Sequence, residues 1–277
     1  MTTPLRANPW AAAPTAPAAF GPGRGVLVVG HGTADPVGAA ETRRVADLVG
    51  EALPGVPVAL GFLEVIGPTI ADGLAELAAA GCREAVAAPL LLFEAGHAKR
   101  DVPEAIADPA AALGITVVRA GPLGCHPAIV ELARHRRAEA VGGRAPMDAS
   151  GTALVMVGRG SSDPTASAQL AAFTEAMLAG EPRPGLVLAG FVAAARPTVP
   201  EALAGAAAPG VSRIIVQPHL LFRGHVEEQV AVAVAAARAQ WPGLEWLTVP
   251  RLGPDPLVVR AVIERASEAM AFVNGGG

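Results

Sequence analysis

Two histidines and one glutamate carry the chemistry this sequence offers. His31 sits in Gly30-His31-Gly32, directly after a Val-rich run. Glu64 lies in Phe62-Leu63-Glu64, just ahead of Pro68, and His97 closes the stretch from Leu90 to Gly96-His97. Two imidazoles and a carboxylate form a donor set suited to Fe²⁺, Co²⁺, Ni²⁺ or Zn²⁺. The same groups can accept protons displaced from a substrate. Each has an ordinary reading by itself: a histidine after a strand often caps or hydrogen-bonds, and a lone loop glutamate is usually a solvated charge.

Such side chains act together only if the fold gathers their loops. From Gly25 onward, short Val/Leu/Ile-rich runs alternate with longer Ala-rich segments. The runs at 26–29, 56–62, 85–92 and 115–119 are apolar without a period of two, as expected of parallel strands buried on both faces. The segments at 36–53, 69–80, 102–113 and 127–140 read as helices, with Gly and Pro at the junctions. Strands alternating with helices indicate an α/β fold, a parallel sheet with helices on both faces. Ligands of such sheets bind beyond the carboxyl ends of the strands. His31, Glu64 and His97 all fall at those ends.

The pattern then starts again, with strands expected at 153–157, 186–191, 213–218 and 244–248, and helices at 164–178, 197–208, 226–240 and 256–271. The halves match in detail. Gly30-His31-Gly32-Thr33-Ala34-Asp35-Pro36 aligns with Gly158-Arg159-Gly160-Ser161-Ser162-Asp163-Pro164, and Gly61-Phe62 through Pro68-Thr69 aligns with Gly190-Phe191 through Pro197-Thr198. Pro89 through His97 aligns with Pro218 through His225, and Leu123-Gly124 with Leu252-Gly253. Four anchors in order at nearly constant spacing imply an internal duplication. The expected organisation is a disordered Ala/Pro-rich tail (1–24), a first domain (25–141) with the reactive residues, a Gly-rich linker (142–151) and a partly degenerate second domain (152–277). The two domains are expected to face each other across a cleft. In the second, Arg159 stands for His31 and Ala193 for Glu64, which suggests one asymmetric site.

Several function classes are disfavoured. The net charge is -4 and aromatics make up 4% of the 277 residues, so neither a basic stripe nor a stacking platform for nucleic acid is evident. Every apolar run is cut by Gly, Pro or charge, so no membrane span is expected. Cys82 and Cys125 form no CxxC pair and read as two reduced, partly buried thiols of a cytoplasmic protein. The third glycine of a dinucleotide fingerprint is missing, and no GKS/GKT loop or GxSxG elbow occurs. Ser161 and Ser162 read as helix-capping residues ahead of Pro164. His126, Asp35 and Asp163 read as residues at helix starts, His135 as a solvated helix face, and His219 as core.

Taken together, the Gly30-His31-Gly32 strand end, the Phe62-Leu63-Glu64 segment followed by Pro68, and the Pro89 to His97 loop with Asp101 and Pro103 resemble the sirohydrochlorin chelatases of the CbiX/SirB type. The resemblance covers nearly the whole chain after the tail, in the long, internally duplicated form. It implies two tandem flavodoxin-like domains related to the class II chelatases. It implies ATP-independent insertion of Co²⁺ or Fe²⁺ into sirohydrochlorin, serving cobalamin or sirohaem synthesis. His31, Glu64 and His97 would be catalytic and would hold the metal, with His225 as an accessory ligand. No cofactor beyond the substrate metal is expected. The partners are the tetrapyrrole and the metal ion, with no nucleic acid or membrane, and the chain is expected to be a monomer. Because the substrate carries many carboxylates, Arg159, Arg196 and Arg223, at strand-end loops of the second half, are candidates to hold them. The rival reading is a metal or tetrapyrrole carrier that uses the same ligands without turnover.

Overall fold

The branched aliphatic runs fold as buried parallel strands. The structure, a computed structural model, describes residues 19–93, 98–144 and 148–274. His97 and most of the expected tail lie outside the described residues. In the first repeat the elements are β1 (Arg24–Gly30), α1 (Pro36–Ala52), β2 (Val58–Phe62), α2 (Ile70–Ala79), β3 (Glu84–Pro89), α3 (Ala98–Leu113), β4 (Thr116–Arg119) and α4 (Pro127–Val141). The second repeat gives β5 (Thr152–Gly158), α5 (Pro164–Leu178), β6 (Leu186–Phe191), α6 (Val199–Ala206), β7 (Arg213–Pro218), α7 (His225–Gln240), β8 (Glu245–Thr248) and α8 (Pro256–Asn274). The strands form two four-stranded parallel sheets, ordered β2-β1-β3-β4 and β6-β5-β7-β8.

The chain divides into two compact units that do not follow the repeats. One comprises the chain up to Leu91 with Arg100–Leu123 and Pro254 onward; the other comprises Leu92–Lys99 and Gly124–Gly253. In the first unit, α2 and α3 cover one face of the sheet through Leu74, Leu77, Ile106 and Ala110, packed on Leu27, Val29, Ala85 and Ala87. The other face is covered by α1 and by α8 of the second repeat. In the second unit, α6 and α7 pack on Ala153, Val155, Ile214 and Val216, while α4 of the first repeat lies with α5 and reaches β8. Contiguous blocks at 25–141 and 152–277 therefore describe the repeats, whereas each compact unit takes its last helix from the other repeat.

Local chemistry sets the boundaries. Asp35 caps α1, accepting from the amides of Val37 and Gly38, and Asp163 caps α5 through Thr165. The cap before Pro164 is thus the aspartate, while Ser161 Oγ accepts the Asp163 amide at 3.0 Å. Thr69 with Asp72, and Thr198 with Glu201, form capping boxes, which is why α6 starts at Val199 rather than at Pro197. β3 ends at Pro89, earlier than the apolar run suggests. Beyond it the amides of Leu123 and Gly124 donate to the carbonyls of Leu91 and Leu92 at 2.8 Å each, outside the regular ladder. α3 begins at Ala98, ahead of the expected start near position 102, and keeps Pro103 and Pro109 inside, forgoing a backbone hydrogen bond at each. Both cysteines are free, Cys82 buried and Cys125 exposed. His135 is exposed, and His126 is a buried N-cap whose Nδ1 accepts from Ala128 N at 3.2 Å. Among the described residues no helix is long and apolar enough to cross a membrane.

His219, directly after β7, is core: it is 5% exposed, its ring lies 3.9 Å from that of Phe173, and its Nε2 has no partner. Burial alone pulls its pKa from 6.5 down to about 3, so the fold holds it neutral. The unfolded chain then binds more protons between those two values, and stability falls as the pH drops from about 6.5 toward 3. Replacing it with a ring that cannot titrate, His219→Phe, is expected to flatten this part of the acid-denaturation curve. Melting temperatures measured from pH 7 to pH 3.5 check it: equal acid sensitivity in both proteins would contradict a buried neutral imidazole.

Candidate metal-handling site

The site grows from a turn at the tip of β1. After Gly30 the chain passes through Gly32 at φ +100°, a conformation that L side chains rarely adopt. A Cβ there would sit 1.9 Å from the carbonyl oxygen of Glu64, so only glycine lets the two loops meet. Two backbone hydrogen bonds then join the strand tips: Leu63 N donates to Gly30 O at 2.9 Å and Glu64 N donates to His31 O at 3.1 Å. Val65 follows at φ 72°, a strained setting for a β-branched residue. Arg43 of α1 secures the far side of the loop, donating to Gly67 O at 2.7 Å with its guanidinium 5.2 Å from the centre of the Phe62 ring.

This clasp brings His31 Nδ1 to 3.2 Å from Glu64 Oε1, with the two side chains 43% and 58% exposed. An ion pair so open to water adds only about 0–1 kcal/mol to stability. A carboxylate at Nδ1 shares the proton of that nitrogen and leaves the lone pair on Nε2 free for a cation. The expected third member, His97, lies outside the described residues. Among the described residues no three histidine, cysteine or carboxylate groups gather into a cluster able to hold a metal.

The second repeat builds the same frame without the same side chains. Val192 N donates to Gly158 O at 3.2 Å and Ala193 N to Arg159 O at 2.9 Å. Gly160 has φ +86°, and a Cβ on it would lie 1.8 Å from Ala193 O. Ala194, matching Val65, has φ 53°. Arg159 is exposed, and its guanidinium makes no hydrogen bond or ion pair among the described residues. The other two candidate arginines differ from it: Arg196 is tied to Glu201, and Arg223 stands 4.0 Å from Glu228. His225 opens α7 with 79% of its side chain exposed, accepts from Gln229 Nε2 at 2.6 Å, and lies 3.7 Å from Glu228. The sequence placed His31 and Glu64 at neighbouring strand ends, where the structure has them 3.2 Å apart, but did not show what holds them there. The glycine and the positive-φ residue recur at matched positions in both repeats, which was the available signal; Arg43, in mid-helix, gave none.

The comparisons agree with this architecture. The family model described as CbiX matches residues 25–140 and 153–269. A sirohydrochlorin cobaltochelatase of Priestia megaterium is 27% identical over 248 residues, 89% of this chain and 80% of its own length. A sirohydrochlorin ferrochelatase of Bacillus subtilis is 29% identical over 254 residues, 90% of this chain and 93% of its own. The solved structure described as SirB from Bacillus subtilis with Fe³⁺ superposes with a TM-score of 0.78 at 27% identity, covering 91% of this chain and 98% of that one.

The clasp makes Gly32 the residue least open to change. Gly81 also has positive φ (+85°), but a Cβ on it would meet nothing within 4 Å. Gly32→Ala is therefore expected to destabilise the protein by about 1–3 kcal/mol more than Gly81→Ala, read by urea unfolding. Equal losses in the two variants would mean that the loops do not meet as described.

Proposed function

The chain belongs to the CbiX family, and from that premise we propose that it is a sirohydrochlorin chelatase that inserts Co²⁺ or Fe²⁺ into the macrocycle without nucleotide hydrolysis. The observation that carries the proposal is the His31–Glu64 pair, held at 3.2 Å by a backbone clasp at the carboxyl ends of β1 and β2. The relatives named above are a cobaltochelatase and a ferrochelatase. Imidazole and carboxylate donors accept either ion, so metal supply decides between them.

Insertion exchanges two pyrrolic protons for one dication. In the proposed mechanism His31, through Nε2, and His97 strip water from the incoming metal ion. Glu64 holds the His31 ring by its Nδ1–H, adds negative charge that favours the dication, and passes released protons to water. As the metal moves onto the macrocycle nitrogens, the imidazoles are freed for the next ion. Both protons leave to solvent and no other reactant is consumed. Arg159, unpaired and set where the first repeat has His31, would hold a substrate carboxylate through its planar fork. Arg196 and Arg223 already have acidic neighbours and would have to release them to do the same; His225 would be an accessory ligand at most. We place the protein in the cytoplasm as a monomer, with no cofactor beyond the substrate metal.

Anaerobic mixing of protein, sirohydrochlorin and Co²⁺ or Fe²⁺, followed by absorbance, tests the reading. The wild type should insert metal well above the protein-free rate, and His31→Ala and His97→Ala should abolish that excess while remaining folded. Glu64→Gln should cost roughly 10–100-fold in rate, as loss of an orienting carboxylate does elsewhere. Arg159→Ala should raise KM for the tetrapyrrole alone. A protein that binds both substrates without exceeding the uncatalysed rate would be a carrier.

A further inference from the structure

The turn that carries Glu64 is strained, and the strain falls on a side chain left in water. Ile66 N donates to Glu64 O at 2.8 Å, closing a three-residue γ-turn around Val65 at φ 72°. A γ-turn with positive φ is rare and strained, the more so for a β-branched residue. Burial could offset that strain, yet Val65 is 64% exposed. In the free protein the valine therefore has neither a relaxed backbone nor a dry surrounding.

Its place in the fold is equally specific. Among the described residues four large hydrophobic side chains are exposed: Val37, Val65, Val232 and Phe272. Val232 and Phe272 stand on α7 and α8. Val37 and Val65 follow the carboxyl ends of β1 and β2, as His31 and Glu64 do. Val65 is the chain neighbour of Glu64, whose own amide is anchored on His31 O.

The second repeat shows that the frame requires neither valine. Thr165 matches Val37 and Ala194 matches Val65, and the two bonds between strand tips form there as well. Ala194 takes the positive φ, at 53°, with a single methyl group. Where the reactive pair gives way to Arg159 and Ala193, both exposed valines are gone too. Apolar bulk on these loops thus accompanies the His31–Glu64 pair and not the turn itself.

We infer that Val65 is a substrate-contacting, specificity-determining residue whose exposed isopropyl group packs on the apolar face of the tetrapyrrole beside His31 and Glu64. The inference rests on the chelatase reading above. The carboxylates of the macrocycle lie on its rim, so its face is the part that an apolar side chain can take out of water. A β-branched side chain is stiff at χ1 and has little rotamer freedom to lose on contact.

Val65→Asn and Val65→Leu separate the contact from the strain. Asparagine tolerates positive φ but is polar; leucine keeps an apolar side chain without branching at Cβ. Metal-free sirohydrochlorin is titrated into wild type and both variants and followed by absorbance, with Co²⁺ insertion and thermal melting measured alongside. Val65→Asn should weaken sirohydrochlorin binding about 5–10-fold, the scale of one partly buried apolar side chain, with KM for Co²⁺ unchanged. Its melting temperature should rise by roughly 2–4 °C as the strain is relieved. Val65→Leu should bind within about twofold of wild type. Equal Kd in all three proteins, an equal loss in both variants, or a Val65→Asn protein that melts below wild type overturns the inference. A wild type that binds sirohydrochlorin without inserting metal sinks the chelatase reading, while the same three Kd values still decide the contact.

Discussion

Two backbone hydrogen bonds between the tips of β1 and β2 are what the candidate site depends on. The His31–Glu64 contact cannot hold itself together, since a pair this exposed is worth at most about 1 kcal/mol and each side chain has rotamers to lose. The bonds from Leu63 N to Gly30 O and from Glu64 N to His31 O contribute about 0.5–1.5 kcal/mol each, and they fix main chain rather than side chain. Gly32 makes that approach sterically possible. The reactive groups thus inherit their separation from the sheet, because parallel pairing of β1 with β2 brings the two loops to the same edge. Main chain fixed below and half-exposed side chains above would suit the proposed role, in which the two groups take up a cation and then release it.

The second repeat separates frame from chemistry. The same bonds, the same positive-φ glycine and the same strained residue recur, yet the side chains there are Arg159 and Ala193. The frame alone therefore does not dictate which side chains it presents. The two repeats are structurally interdependent. α8 of the second repeat covers one face of the sheet that presents His31, and α4 of the first repeat covers part of the other sheet. Deleting either repeat would remove from the other repeat's sheet a helix that packs against it, α8 on β3 and β4 or α4 beside β8. A duplicated chain with exchanged helices can lose a set of ligands from one repeat without becoming free to lose that repeat.

Much of this was legible in the residues. Apolar runs without alternation marked the parallel strands, and Asp-Pro and Pro-Thr pairs marked helix starts to within a few positions. The nearness of His31 and Glu64 followed from two strand ends in one sheet. What stayed hidden depends on contacts distant in sequence. The helix exchange leaves no local signature, since the apolar residues of α4 and α8 could be buried against either sheet. The third helix was expected from about position 102, but it extends back to Ala98. The burial of His219 was expected; the rings of Phe93 and Phe173 against it were not, because those residues lie far apart in the chain.

X-ray absorption of Co²⁺ bound to the full chain tests most directly whether the clasped pair handles the metal. The account predicts a shell of imidazole nitrogens at about 2.1 Å, with one imidazole fewer in His31→Ala and a disordered or weaker shell in Glu64→Gln. A cobalt ion surrounded by water oxygens alone, with identical spectra in wild type and both variants, would contradict it.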